Sequence, residues 1–292
     1  MKAAAFDYLK ASSLDEVCLV LAAAGDGAEH KIIAGGQTLV PLMAMRLARP
    51  SLLVDINDIE ALRGVAADGD ALVIGAGTSQ RVVERSQDAA RALPLLVKAL
   101  GFVGHQQTRN RGTIGGSLVH GDPAAEIPLV ALALEARLQA LSTAGTKSYA
   151  AADFFDGPMI TALGADECLV EIRFPIWPRD RIGTGFQEVA SRHGDFAIVA
   201  ACAQVQLDDR GHCARIAAAV GGVAGTPVRL AGLEHALTGS ALDGDAVAAA
   251  LGGIQDAIEP DPDMHASADY RRRVVGVLVG RAIEQARAEA LG

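Results

Sequence analysis

The spacing of apolar residues at the start of the chain predicts one helix and three strands. Apolar side chains recur at helical intervals in residues 14–24, directly after Ser12 and Ser13, which indicates an N-capped amphipathic helix that ends near Gly25. Three short apolar runs predict strands, at residues 31–34, 51–56 and 71–74. A pair of glycines follows the first strand, so this region has the pattern of a strand, a glycine turn and a helix.

Helical spacing predominates in the middle of the chain. The expected helices are residues 81–86, 93–100 and 128–134, and prolines lie near the start of the second and at the start of the third. A glycine-rich loop is expected at 112–116, and strands at 136–142 and 167–174.

The last third of the chain has strands first and helices afterwards. The expected strands are 183–191, 197–207 and 213–223, with a hairpin connection at 208–212. The expected helices are 230–237, 244–251 and 269–290. Strands followed by helices indicate an α+β fold.

Prolines and charged residues divide the chain into three expected parts. Pro175, Pro178 and the charged residues that follow mark the second boundary. The expected parts are an N-terminal subdomain (1–63), a second subdomain (64–178) and a C-terminal domain of sheet and helices (179–292).

Composition excludes several classes of function. The formal charge of −9 argues against a surface that binds nucleic acid or anionic membranes. The longest apolar runs, such as 127–134, are far shorter than the roughly 20 residues of a membrane span. Asp7 comes early and no long apolar segment precedes a cleavage site, so no secretory signal is expected and a cytoplasmic location follows.

The four cysteines, at positions 18, 168, 202 and 213, contain no CxxC pair. Their spacing indicates neither an iron–sulfur cluster nor a zinc site, and we expect small buried thiols. No metal ligands and no catalytic side chains are predicted on this chain.

Two glycine-rich segments, residues 34–41 and 112–128, indicate dinucleotide binding. Paired glycines allow consecutive backbone N–H groups to point into one concavity, which is how a main chain encloses a pyrophosphate. Thr38, Thr113 and Ser117 add hydroxyl donors beside the glycines. For either pair alone, an ordinary turn is the alternative.

The common nucleotide motifs do not explain these segments. The chain contains no GxxxxGK[ST] sequence, and residues 75–80 (GAGTSQ) have Gln where a dinucleotide fingerprint has its third glycine. A Rossmann fold is therefore not predicted.

Four motifs in order resemble one family. Residues 34–65, 107–128, 186–200 and 265–283 are similar to the FAD-binding medium subunit of the molybdenum hydroxylases, which includes the medium subunit of aerobic carbon monoxide dehydrogenase and the FAD-binding subunit of xanthine dehydrogenase. The resemblance extends from about Phe6 to Ala290. It implies a two-subdomain FAD-binding domain of the vanillyl-alcohol-oxidase/PCMH type, followed by a C-terminal domain of the carbon monoxide dehydrogenase flavoprotein type.

The resemblance also implies a set of residues around FAD, which would lie in the cleft between the first two subdomains. These are Ala34, Gly35, Gly36, Gln37, Thr38 and Leu39 in the first segment; Thr113, Ile114, Gly115, Gly116 and Ser117 in the second; Asp122 and Glu126 near the flavin end; and Leu169, Val170, Asp195 and Phe196 around the ring. Ser117 stands where Asn is common in the family, Glu126 where Asp is common, and Ser191 where Arg is common.

The implied function is electron transfer within a complex. FAD on this chain would take electrons from 2Fe-2S clusters on a small subunit and pass them to an external acceptor. The substrate, which is carbon monoxide, an N-heterocycle or an aldehyde, would be oxidised on a large subunit that carries the molybdopterin cofactor. The expected assembly is a dimer of heterotrimers.

Two other functions remain open from the sequence. A self-sufficient FAD-dependent oxidase or dehydrogenase of the vanillyl-alcohol-oxidase-like group would need a substrate pocket, and one Trp, three Tyr and seven Phe offer little for an aromatic one. A flavin-free binding module would not need the glycine pairs. His105, His120 and His193 are interpreted as structural, and Asp122 with Glu126 as the beginning of a helix after Pro123 instead of a general acid–base pair.

Overall fold

A computed structural model describes residues 2–25, 29–178 and 180–292 of the chain. Arg179, which lies at the expected boundary between the second and third parts, is outside the described residues. None of the helices that the structure describes combines the length and the low polarity needed to cross a bilayer.

The N-terminal part is a three-stranded parallel sheet with two helices. Its elements are β1 (Asp7–Lys10), α1 (Leu14–Ala22), β2 (His30–Ile33), α2 (Leu39–Ala44) and β3 (Leu52–Asp55), and the strand order is β1-β3-β2. The Ser13 hydroxyl accepts a hydrogen bond from Glu16 N and caps α1, as its position predicts. Val17 and Leu21 of α1 are buried in the core of this part.

The second part is a five-stranded antiparallel sheet covered by six helices. In chain order its elements are β4 (Val65–Asp68), β5 (Ala71–Gly75), α3 (Gln80–Arg85), α4 (Gln87–Ala92), α5 (Pro94–Leu100), α6 (Gln106–Arg111), α7 (Ile114–His120), α8 (Glu126–Ala133), β6 (Arg137–Ser142), β7 (Gly145–Ala150), β8 (Phe155–Gly157), β9 (Ile160–Thr161) and β10 (Cys168–Pro175). The sheet order is β4-β5-β10-β6-β7, and β8 pairs with β9 alone. Every residue of α8 is buried, so this helix forms the centre of the part.

The C-terminal part is a four-stranded antiparallel meander with helices on one face. Its elements are β11 (Ile182–Ala190), β12 (Ala197–Leu207), β13 (Cys213–Gly221), β14 (Val228–Arg229), α9 (Ala231–Leu237), α10 (Gly244–Leu251) and α11 (Ala268–Leu291). Gly185 lets α11 lie directly on β11, because a β-carbon there would be 2.7 Å from the carbonyl carbon of Ala282. The mixed helix-and-sheet architecture agrees with the sequence prediction.

The other face of the C-terminal sheet packs on the second part. Phe186, Ala200, Cys202 and Ala219 belong to the same hydrophobic core as α5 and α8. Ion pairs join the two parts at the edge of this core: Lys98 with Glu289 at 2.5 Å and Arg229 with Glu135 at 2.6 Å. The two parts therefore form one packed unit.

Two predicted elements of the second part need correction, whereas the prediction for the cysteines is confirmed. The predicted loop at 112–116 is wrong, because Gly115 and Gly116 lie in the first turn of α7. The helix predicted to begin at Pro128 begins at Glu126, since proline is tolerated in the first turn of a helix, where its missing N–H is not needed. The four cysteines are free, buried thiols, as predicted.

Candidate functional site

The first glycine pair lies in the connection between β2 and α2. Gly36 has a φ of +69°, in the left-handed region that side chains with a β-carbon disfavour. The carbonyl of Ala34 accepts a hydrogen bond from Asn57 Nδ2 at 2.9 Å, and Asp55 Oδ1 holds the same amide at 2.7 Å. The end of β3 therefore fixes the start of the glycine connection.

Five consecutive backbone N–H groups of this connection have no acceptor in the part of the chain that the structure describes. They belong to Gly35, Gly36, Gln37, Thr38 and Leu39. The next N–H, that of Val40, donates to Gly36 O at 3.1 Å and begins the hydrogen bonding of α2. A run of unpaired N–H groups around a left-handed glycine is a typical binding site for phosphate oxygens.

The second glycine pair has a different conformation from the first. Thr113 caps α7, and its Oγ1 accepts from Gly116 N at 3.0 Å. Gly115 N donates to Ala76 O at 2.9 Å, and Ile114 N donates to Thr78 O at 3.0 Å. These N–H groups are therefore already paired within the chain. The segment can still attract an anion through the positive end of the α7 dipole, where Gly116 is exposed to solvent.

Gly115 is required by packing inside the protein. A β-carbon on Gly115 would lie 2.6 Å from the β-carbon of Ala76 in the turn after β5. The segment 75–80, which lacks the third glycine of a dinucleotide fingerprint, forms the turn that holds the beginning of α7. Its glycine-rich composition is a sequence signal for this close approach, which was not predicted.

The two glycine-rich segments meet in space. A β-carbon on Gly35 would lie 2.8 Å from Gly112 Cα and would also overlap the Arg111 carbonyl. The unpaired N–H groups of the first segment thus lie beside the residues that lead into α7. This arrangement fits a dinucleotide diphosphate, because it offers several donors and a helix N-terminus to one anionic group.

The two acidic residues have different surroundings. Asp122 follows the left-handed Gly121, and its Oδ1 accepts from Ala124 N at 2.8 Å, which closes a turn before α8. Glu126 is the first residue of α8 and is only 5% exposed. Burial raises the pKa of Glu126 to about 7; its own backbone N–H and Arg109 oppose this shift, and Asp122 adds to it.

Leu169 and Val170, the two apolar residues of β10 that were predicted to contact the flavin, lie in different environments. Leu169 is 4% exposed and lies in the core of the second part. Val170 is half-buried against the core of the N-terminal part, and its carbonyl accepts from Ala76 N at 2.9 Å. Of the two, only Val170 retains surface that a bound ligand can contact.

Asp195 and Phe196 lie on the connection between β11 and β12. Phe196 is 60% exposed, and Asp195 N donates to Arg192 O at 3.1 Å. A β-carbon on the neighbouring Gly194 would lie 2.7 Å from the His105 ring, directly before α6. The C-terminal part therefore contacts the start of α6 and carries an exposed aromatic side chain two residues after this contact.

Comparisons with protein families identify two domains of related function. Residues 4–177 match the model of the FAD binding domain in molybdopterin dehydrogenase. Residues 184–286 match the model of the CO dehydrogenase flavoprotein C-terminal domain.

Similar proteins match over nearly their whole length. The 6-hydroxypseudooxynicotine dehydrogenase complex subunit alpha of Paenarthrobacter nicotinovorans is 39% identical over 286 residues, which is 98% of this chain and 96% of the relative. The carbon monoxide dehydrogenase medium chain of Hydrogenophaga pseudoflava is 36% identical, with 96% of each chain covered. The crystal structure of quinoline 2-oxidoreductase from Pseudomonas putida 86 superposes with a TM-score of 0.93 at 36% identity, covering 100% of both chains.

Proposed function

This chain belongs to the family of FAD-binding medium subunits of molybdenum hydroxylases, and from that premise we propose that it transfers electrons from iron–sulfur clusters on a partner chain to an external acceptor. The observation that carries the proposal is the contact between the two glycine-rich segments, with five unpaired N–H groups on one of them. Unpaired N–H groups beside the start of a helix are donors suited to the diphosphate of FAD.

We assign FAD binding to the residues that the resemblance implies. The diphosphate would be held by the N–H groups of residues 35–39 and by the start of α7, which consists of the N-cap Thr113 and a first turn with Ile114, Gly115, Gly116 and Ser117. Asp122 and Glu126 lie at the end of α7 and the start of α8, towards the flavin end in this proposal. Val170 offers apolar contact, Leu169 supports it from the core, and Asp195 with Phe196 covers the ring.

FAD, when bound, accepts electrons singly and releases them as a pair. The residues of this chain bind and orient the cofactor and limit the access of water. Phe196 has the exposed aromatic surface needed for shielding. In this proposal the first two parts, 1–63 and 64–178, form a FAD-binding domain of the vanillyl-alcohol-oxidase/PCMH type, and residues 179–292 close it from one side.

The state of the cysteines on this chain favours the placement of the iron–sulfur clusters on a separate chain. Burial raises the pKa of the Cys168 and Cys202 thiols to about 12 and that of Cys213 to about 11, which disfavours the thiolate form that binds iron. We therefore propose a small subunit with 2Fe-2S clusters and a large subunit with the molybdopterin cofactor, arranged as a dimer of heterotrimers.

Substrate choice belongs to the large subunit in this proposal. Relatives of similar identity are named for 6-hydroxypseudooxynicotine, carbon monoxide and quinoline. Because similar medium subunits belong to enzymes with such different substrates, we infer that the medium subunit does not contact the substrate. Carbon monoxide, an N-heterocycle or an aldehyde therefore remain the substrate classes of the complex.

Purification of the tagged chain from its native source tests this proposal. We expect a yellow complex with two further polypeptides, containing FAD, iron and molybdenum, that reduces a dye when its substrate is supplied. A yellow single chain with substrate oxidation of its own would contradict the proposal and favour a self-sufficient FAD-dependent oxidase. A colourless chain that does not bind added FAD would contradict both.

A further inference from the structure

Two glutamates from different parts of the chain, Glu126 and Glu188, lie at the interface between the second part and the C-terminal sheet. Glu126 begins α8 and is 5% exposed. Glu188 lies on β11, and its Oε2 is buried without a hydrogen-bond partner among the residues that the structure describes. An unpaired buried carboxylate oxygen is costly unless the group is protonated or a neighbour satisfies it.

Strand register shows which way Glu188 points. Glu188 pairs with Ala200, and Ala200 pairs with Gly221, so the three residues lie in one row and share a face of the sheet. A β-carbon on Gly221 would lie 3.1 Å from Pro123 O and 3.7 Å from a methyl group of Leu129. These two contacts bracket the first turn of α8, so the face of the sheet that carries this row, with Glu188, is the face on which the start of α8, with Glu126, packs.

Alternation along β11 supports the same orientation. Gly183 and Gly185, which are an odd number of residues from Glu188, face α11 on the opposite side of the sheet. Phe186, two residues from Glu188, packs in the core of the second part. The hydrogen bond from Gly222 N to Pro123 O, at 2.9 Å, ties the two sides of the interface together.

The charges around the pair do not neutralise it. Burial, and to a smaller extent the charge of Glu126, raise the pKa of Glu188 to about 8. Asp122 also raises the pKa of Glu126, while Arg109 lowers it. Arg109, however, is bound through two nitrogens to Glu84, at 3.1 and 3.2 Å.

Other ionisable groups near this interface have partners elsewhere. Lys98 of α5 is paired with Glu289 and the Thr184 carbonyl, both at 2.5 Å. His120 Nε2 lies 4.0 Å from the Asp122 carboxylate. Within the described ranges, no group of three or more acidic, His or Cys side chains is arranged to hold a metal ion. Two facing carboxylates without a cation reach their lowest energy by sharing a proton.

We propose that Glu126 and Glu188 form a carboxylic acid–carboxylate pair that holds one proton across this interface at neutral pH, and that loss of this proton weakens the retention of FAD. The first statement concerns this chain alone. The second rests on the proposed function, in which Glu126 lies towards the flavin end of an anionic cofactor: a second negative charge on the pair would disfavour binding of a ligand that is itself negatively charged.

Infrared spectroscopy of the full chain without FAD tests the pair itself. Between pH 5 and 9, the wild type should show a carboxylic acid carbonyl band that disappears only near and above neutral pH. In Glu188→Gln, which removes the neighbouring charge, the remaining titration should move down by about one pH unit. Glu284→Gln, at an exposed position on α11, is the matched control and should titrate like the wild type.

Two infrared results would overturn the pair. One is the absence of any carboxylic acid band above pH 6 in the wild type. The other is a Glu188→Gln titration that coincides with that of the wild type. Glu126→Gln provides a second variant if Glu188→Gln does not fold, and it should lower the titration of Glu188 in the same way.

The dissociation constant of FAD, measured by fluorescence titration, tests the link to the cofactor. From pH 6 to pH 9 we expect it to rise about tenfold in the wild type and by a clearly smaller factor in Glu188→Gln, in which only one carboxyl can become charged and most of its titration is complete at lower pH. Equal pH slopes in the two proteins would overturn the link. Failure of FAD to bind at any pH, together with the expected infrared titration, would overturn the proposed function and support the pair.

Discussion

Gly35 lies so close to Gly112 that a β-carbon on Gly35 would be 2.8 Å from the Cα of Gly112. The two residues are far apart in sequence, and their contact brings the unpaired N–H groups of the first segment to the beginning of α7. The contact therefore explains why a glycine is needed at position 35. The reason is the close approach of two backbone segments, since the space where the β-carbon would lie is filled by protein.

Gly35→Ala should weaken FAD retention. The added methyl group overlaps the backbone of Arg111 and Gly112, so the two segments must separate and the donors no longer converge. We expect the FAD dissociation constant to rise by about tenfold or more. The measurement is the flavin absorbance per chain after gel filtration.

The control for this variant is Gly232→Ala in α9, where no atom lies within 4 Å of the new methyl group. This control should retain FAD like the wild type. If Gly35→Ala also retained it fully, the contact between the two segments would not be needed for the cofactor.

Thr113→Val should destabilise the chain and displace the start of α7. Its hydroxyl accepts the hydrogen bond from Gly116 N at 3.0 Å, and valine keeps the shape but not the acceptor. Loss of such a cap costs about 1 kcal/mol of the free energy of unfolding. Urea denaturation measures this loss, and Thr113→Ser, which preserves the hydroxyl, should recover most of it. A valine variant as stable as the wild type would show that the cap is unimportant.

Phe196→Ala should expose the bound flavin without destabilising the fold. The side chain is 60% exposed, so its removal should change the free energy of unfolding by less than about 0.5 kcal/mol. If Phe196 covers the ring, iodide should quench the flavin fluorescence of the variant more strongly. Met264→Ala, which removes another exposed apolar side chain, at 92% exposure, is the control. Equal quenching in all three proteins would show that Phe196 does not cover the flavin ring.

The sequence predicts those elements whose apolar pattern and end signals agree. The helices α1, α9 and α10 and the long strands β12 and β13 are examples, since each has a clear period and a polar boundary. The short strands β1, β4 and β7 were not predicted. They are mostly exposed at the edges of their sheets, so they lack the apolar–polar alternation that identifies a half-buried strand.

The site is less accessible to sequence analysis than the fold. The glycine pairs identify the two segments, but they look alike in sequence and differ in structure: Gly36 is left-handed in a turn, while Gly115 is helical because Thr113 caps α7. The contact of Gly35 with Gly112 and the approach of Glu188 to Glu126 depend on tertiary packing. No local pattern encodes such distant pairs, so Glu188 was not among the predicted site residues.

The stability of the chain without FAD should fall as the pH rises from 5 to about 8. Glu126 and Glu188 have pKa values raised from 4.5 to about 7 and about 8 in the folded state. Between pH 4.5 and these values the folded state binds more protons than the unfolded state, so the stabilisation that is complete below pH 4.5 is lost as the pH increases. The free energy of unfolding should fall by up to about 1.4 kcal/mol per pH unit for each extra proton that the folded state binds. The decrease should level off above about pH 8.

Urea denaturation at pH 5, 7 and 9 measures this dependence. The window avoids the opposite contributions of Glu84 and Asp263, whose pKa values are lowered and whose stabilisation is lost only in more acidic solution. The double variant Glu126→Gln/Glu188→Gln removes both titrations, so its free energy of unfolding should change much less between pH 5 and 9. Glu284→Gln should keep the slope of the wild type. If the double variant kept that slope as well, the pH dependence would have to arise from other groups, because neither amide can bind a proton in this range.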